Sequence, residues 1–184
     1  LVYHNDIFFI DDLRENNIPI EYCAPKNYLD RILKVRKYIR KNDFDAVISF
    51  LDVPNFLNNL SAFGGKKWKI ITSERSSKED TLISNRGKIF NFFQRYSDYI
   101  VCNSENAKEL WLKHYPQYKN KLVTIYNPVI LPEVKSQYIP RKDGKVHVVV
   151  AASYQYLKNP VGLIKALTLM NNEERKQIVV NWYG

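Results

Sequence analysis

In the stretch VVVAASYQYLKNP, residues 148–160, a serine, two tyrosines and one lysine lie between a valine run and an Asn-Pro pair. Asn159 suits the cap of a helix and Pro160 its first turn. Lys158 is thereby placed at the positive end of a helix, where the dipole repels its charge. An anion held between Lys158 and neighbouring donors relieves that repulsion; the plainer alternative is a solvated loop lysine. Neither G-x-x-x-x-G-K-[ST] nor G-x-G-x-x-G occurs, so no glycine-rich phosphate loop is present. Polar groups also follow every other apolar run: Asp52 and Asn55, then Ser73-Glu74-Arg75-Ser76, then Asn103 and Ser104, then Asn127. Single residues of these types serve equally as caps and loop formers. Glu74-Arg75 is more specific, because an acid and a base directly after a buried strand point into a crevice or pair with each other.

The elements that must position these groups alternate. Residues 6–16 read as a short amphipathic helix, 18–22 as a strand and 28–42 as a helix. DAVISFL (45–51) is an apolar β-branched run, a buried strand. Residues 53–65 read as a helix ending at Gly64-Gly65, and 67–73 as a strand. A polar loop follows, then a helix over 86–96 and a strand over 98–104 whose Ser104 caps the next helix. Residues 121–128 read as a strand that Pro128 ends. Residues 128–144 hold three prolines and no periodicity, as a linker does. A strand from Lys145, a helix over 160–170 and a strand over 177–183 close the chain. This alternation predicts an α/β fold with parallel sheets and helices on both sheet faces. Ligands bind such sheets at the C-terminal strand ends, here just after residues 51, 73, 102, 126 and 152.

The 184 residues allow one large domain or parts of two. The chain starts at Leu1 and its one methionine is Met170, which suggests a piece of a longer protein. The net charge of +9 favours anionic partners without choosing among phosphates, nucleic acid and an acidic membrane. The basic residues are spread over many segments, which disfavours a nucleic-acid module. Cys23, Cys102 and the three histidines (His4, His114, His147) lack metal-type spacing, so no metal site is expected. The cysteines are expected to stay reduced, as in a cytosol.

Four local patterns together resemble a GT-B glycosyltransferase of the retaining family 4 type. They are NDFDAVISFLDVPN, KIITSERSS, SDYIVCNSENAKELW, and VTIYNPV followed by a linker and VHVVVAASYQYLKNPVGLIKAL. The resemblance runs from about residue 40 to the end. It implies two Rossmann-type parts: an acceptor-side domain over 1–127, a linker over 128–144, and the opening βαβ of a donor domain from 145 to 184. The implied reaction moves a sugar from a nucleoside-diphosphate sugar to an acceptor hydroxyl with retention, in cell-surface polysaccharide or glycolipid synthesis. The nucleotide sugar is a co-substrate and no further cofactor is expected. Lys158 falls on the lysine that neutralises the donor diphosphate, with Ser153 and Asn159 beside it. The family's arginine position falls near Ala152 and Ser153, where this sequence has no arginine. Glu74 and Arg75 would act on the acceptor side, with Asp52, Asn103, Ser104 and Asn127 lining the cleft. The family's paired-glutamate motif is expected beyond Gly184, and its first glycine-rich loop before Leu1.

In the helix over 28–41, Tyr28, Ile32, Val35 and Ile39 share one side and Arg31, Lys34, Lys37 and Lys41 the other. Such a helix suits docking to an anionic leaflet, on the cytoplasmic side of a plasma membrane, or is an ordinary solvated face. Three alternatives to the transferase remain: a nucleotide-sugar epimerase of the same fold, a basic binding module, and a domain that has lost activity. Product analysis with a labelled nucleotide sugar and no acceptor separates the epimerase from the transferase.

Overall fold

A computed structural model describes residues 9–23, 27–75, 79–129, 139 and 141–184. The chain divides into two compact units, Leu1–Val129 and Ile130–Gly184. Most of the linker expected over 128–144 lies outside the described residues.

The first unit opens with α1 (Ile10–Glu15) and α2 (Tyr28–Lys41), the latter capped by Asn27, whose side chain accepts from the Leu29 N–H. Then come β1 (Ala46–Phe50), α3 (Asp52–Ser61), β2 (Lys69–Glu74), α4 (Glu79–Ile83), α5 (Asn85–Phe93), β3 (Tyr99–Cys102), α6 (Glu105–His114) and β4 (Leu122–Thr124). The four strands form one parallel sheet in the order β1-β2-β3-β4. Each strand therefore pairs with the next one in the chain. Right-handed crossovers that all step the same way place their helices on one face of the sheet.

Burial follows that rule. Ile70 and Thr72 of β2, Ile100 and Cys102 of β3 and Leu122 of β4 are buried under the helices. The alternate residues Ile48, Phe50, Tyr99 and Val123 are exposed. The expected coverage of both faces is thus not found among the described residues. Two clusters fill the helix side. In one, Val35 and Ile39 of α2 meet Leu57, Trp68 and Ile70; in the other, Ala107 and Trp111 of α6 meet Ile100, Cys102 and Leu122. α2 is also tied to the end of α3 by its arginines. Arg36 donates to the carbonyls of Leu60, Ser61 and Phe63 at 2.7–3.0 Å, and Arg40 to those of Ser61 and Gly65 at 3.0 and 2.8 Å. These are the carbonyls a helix end leaves without partners. At the N-terminal end of the strands, Asp98 accepts from the Ile70 N–H (2.8 Å), Lys69 (3.2 Å) and Lys66. Burial opposes its charge, but these donors hold its carboxyl below the usual range.

Several expected elements differ. Residues 18–22 are not a strand; Tyr22 makes one isolated bridge. The polar loop after β2 contains α4, whose Glu79 and Asp80 sit at the favourable N-terminal end. β4 stops at Thr124 rather than at 128, because β3 offers pairing only as far as Cys102, whose carbonyl still accepts from the Ile125 N–H.

The second unit holds β5 (Val146–Ala151), α7 (Pro160–Leu169), α8 (Asn172–Lys176) and β6 (Ile178–Tyr183). β5 and β6 pair in parallel from Val146↔Ile178 to Ala151↔Tyr183. The unexpected α8 carries a capping box between Asn171 and Glu174.

Candidate functional site

Strand β2 ends at the group that shapes the site. Alternation along a strand sends Ile70, Thr72 and Glu74 to the helix side, so the last of them drives a carboxylate under α3 and α5. Glu74 is 7% exposed. Its Oε1 accepts from Asn55 Nδ2 at 3.0 Å and Gln94 Nε2 at 3.1 Å. Asn55 also donates to the Ser73 carbonyl at 3.1 Å. The orientation of Gln94 is fixed from behind: its Oε1 accepts from Thr72 Oγ1 (2.9 Å) and Asn59 Nδ2 (3.1 Å), and Ser97 Oγ lies 2.7 Å away. The amide can therefore present only its N–H to Glu74.

This polar seam runs where a helix normally packs apolar side chains on a sheet. α3 supplies three buried asparagines to it, Asn55, Asn58 and Asn59, at the i, i+3, i+4 spacing of one helix face. Asn58 bonds the Val47 carbonyl at 3.0 Å and Ser49 Oγ at 3.1 Å.

Burial raises the pKa of Glu74 to about 7, and the nearby charge of Asp52 adds to the rise, while the Asn55 hydrogen bond opposes it. Glu74 pairs in register with Cys102 on β3. The Cys102 thiol is pushed up to about 12, by burial first and by the Glu74 charge second. It is a packing residue, not a nucleophile.

Glu74 and Asp52 open onto a cavity of about 340 Å³. Its apolar wall is Phe56 and Phe90, stacked with centroids 4.3 Å apart, and the Arg86 guanidinium lies 4.9 Å from the Phe90 centroid. Asp52 is the first residue of α3, reached through Leu51 at φ 73°, ψ 162°. That conformation is costly for a leucine, on the order of 1–3 kcal/mol, and it turns the chain sharply from β1 into α3. Gly87 also lines the cavity and lets α5 pack closely on α4, because a Cβ there would meet the Thr81 carbonyl at 1.9 Å.

The remaining expected residues fall elsewhere. Arg75, one step beyond Glu74, leaves on the other side and is exposed. Its Nη1 donates to Asn127 Oδ1 at 2.6 Å, and its guanidinium sits 5.4 Å from the Phe50 ring. The structure thus brings Arg75 to Asn127 and Glu74 to Asp52, and separates Glu74 from Arg75. Ser104 caps α6, its Oγ accepting from the Ala107 N–H at 3.2 Å, and Asn103 precedes it after β3. In the second unit, Asn159 adopts a left-handed conformation (φ 51°) and accepts from the Gly162 N–H at 3.1 Å, capping α7 with Pro160 in the first turn. Lys158 is exposed immediately before this cap, with no ion-pair partner among the described residues. Ser153 is exposed in the turn after β5. Gln94, Phe56, Phe90 and Arg86 were not anticipated. The asparagine spacing on α3 was the one available signal for the buried seam; nothing in the sequence around Gln94 marks it.

Residues 11–131 match the family model described as Glycosyltransferase Family 4. Among solved structures, the chain is similar to Anabaena Alr3699/HepE, determined in complex with UDP and glucose. The TM-score is 0.69 at 12% identity, over 95% of this chain and 50% of that one. It is also similar to the apo form of the lipopolysaccharide outer core galactosyltransferase WaaB, with a TM-score of 0.62 at 13% identity over 92% of this chain and 54% of that one. The chain spans about half the length of these structures. None of the curated proteins compared matches it.

Proposed function

Because the chain belongs to Glycosyltransferase Family 4 and has the α/β fold of GT-B glycosyltransferases, we propose that the full-length protein moves a sugar from a nucleoside-diphosphate sugar to an acceptor hydroxyl, with retention. The observation that carries this is the placement of the Glu74 cavity at a C-terminal strand end inside the matched region. UDP in the HepE complex supports a nucleoside-diphosphate donor. The kinship in fold with WaaB supports a role in cell-surface polysaccharide or glycolipid synthesis. The first unit is the acceptor side and the second the start of the donor side, joined by a linker over 128–144.

The chemical demand in such a transfer is to stabilise charge on the departing diphosphate. In this reading Lys158 supplies a cation at the entrance of α7, and Ser153 and Asn159 contribute donors beside it. No charged group stands at Ala152 or Ser153, so Lys158 carries more of that load. On the acceptor side, Glu74 titrates close to neutrality, which suits a group that accepts and exchanges a hydroxyl proton. Asp52 faces the same cavity, and Arg75 with Asn127, Asn103 and Ser104 edge the strand ends. No resident cofactor or metal is invoked. In the full-length enzyme, Lys158→Ala is expected to lower nucleotide release from a panel of nucleotide sugars at least roughly tenfold, the scale of one charge-assisted contact. An unchanged rate would remove Lys158 from the site.

The same reading includes contact with an anionic membrane face through α2. Lys34, Lys37 and Lys41 are exposed on it, and so are Leu29 and Leu33 beside them. Exposed leucines flanking a lysine face suit a helix lying in a lipid headgroup layer. Arg36 and Arg40 do not belong to that face, being committed to α3.

A further inference from the structure

The Glu74 cavity has a composition that restricts what it can hold. We infer that it takes a single pyranose ring without negative charge, one hydroxyl of which donates to Glu74 Oε2. This rests on the acceptor-side reading above and adds the class of acceptor sugar.

Volume comes first. At about 340 Å³ the cavity is at the small end of ligand sites, which run from roughly 300 to 1,000 Å³, so one ring fits and an extended chain does not. Hydrogen-bonding capacity comes second. Both side-chain donors to Glu74 end on Oε1, which leaves Oε2 without a donor among the described residues while the side chain lines the cavity. That oxygen has room for a donor, and sugar hydroxyls are donors. The held orientation of Gln94 makes this acceptor preorganised, because its amide cannot turn without abandoning Thr72 and Asn59.

Charge comes third. Asp52, Glu74 and Asp80 line the cavity, and Arg86 is the one cation among its described lining residues. A carboxylate or phosphate on the sugar would meet three acids and one base, and of these Glu74 is buried where water screens it little, while Asp52, Asp80 and Arg86 are exposed. The apolar Phe56 and Phe90 wall suits the carbon-bound hydrogens of a ring.

The test is an NMR titration of the full-length protein at pH 8 with methyl β-glucopyranoside and methyl β-glucuronide. The glucuronide is expected to bind at least about tenfold more weakly. Glu74→Gln should weaken the uncharged glycoside by roughly tenfold, the scale of a hydrogen bond to a charged group, and narrow the gap between the two sugars. Arg86→Gln, at an exposed position that spares the fold, should widen that gap. Equal binding of the two glycosides, or a gap that neither variant moves, overturns the inference. If the protein consumes nucleotide sugars yet binds neither glycoside, the cavity assignment fails and the transferase reading stands. If the glycosides bind as expected and no nucleotide sugar is consumed, the reverse holds.

Discussion

Glu74 costs the fold something, and the cost depends on pH. In the unfolded chain its carboxyl titrates near 4.5, and in the fold near 7. Between those values the folded protein keeps a proton that the unfolded chain has released. Stability therefore falls as pH rises from about 4.5 to about 7, by about 3 kcal/mol in all, and the loss stays constant above that. Glu74→Gln keeps an oxygen for Asn55 and Gln94 and removes the charge. It is expected to flatten this slope and to be about 1–3 kcal/mol more stable than the parent at pH 8, as read by urea unfolding at pH 5 and pH 8. An undiminished slope in the variant would place the titration elsewhere. At this scale the sequence was partly legible. An acid after a β-branched run is visible by eye, and Asn159, Pro160 and Ser104 take the capping roles their types suggest. What cannot be seen is that one step along a strand reverses the face. Glu74 and Arg75 are neighbours in sequence and opposites in space, and the amides that receive Glu74 come from 19 residues before it and 20 after.

Among the elements, α2 and α3 are joined twice, by Val35 and Ile39 packing on Leu57 and by two arginines of α2 at the end of α3. Arg36 spans three carbonyls at the end of α3. Arg36→Ala is expected to lower stability by about 1–3 kcal/mol, measured by thermal or urea unfolding. Arg36→Lys should recover only part of it, because a single ammonium cannot reproduce the planar fork. Full recovery with lysine would mean that charge, not geometry, holds the join. Helix α2 was legible to within one residue because its apolar residues keep the 3.6-residue pattern along its length. α4 was not, because a run rich in Ser, Lys, Glu and Asp reads as a loop when its neighbours are unknown. Residues 18–22 have strand composition, but a strand also needs a partner, and pairing is a property of the sheet.

For the whole molecule, the parallel sheets follow from the alternation of elements, as does the placing of polar groups at strand ends. The open sheet face does not, because alternation alone leaves the direction of each crossover undefined. Association with a surface also belongs to this scale. Flotation with anionic against neutral vesicles is expected to recover the protein with the anionic ones only, and Lys34→Glu with Lys37→Glu should abolish that recovery. Equal binding to both vesicle types, or none to either, would leave α2 as an ordinary solvated helix. The strand order has one more consequence, for synthesis. Because β1 to β4 lie side by side in the order they are translated, each of β2, β3 and β4 emerges from the ribosome with a neighbour already made and one helix-bearing crossover to close. These four strands can add one after another from β1, and none of β2 to β4 waits for a later segment before it is paired.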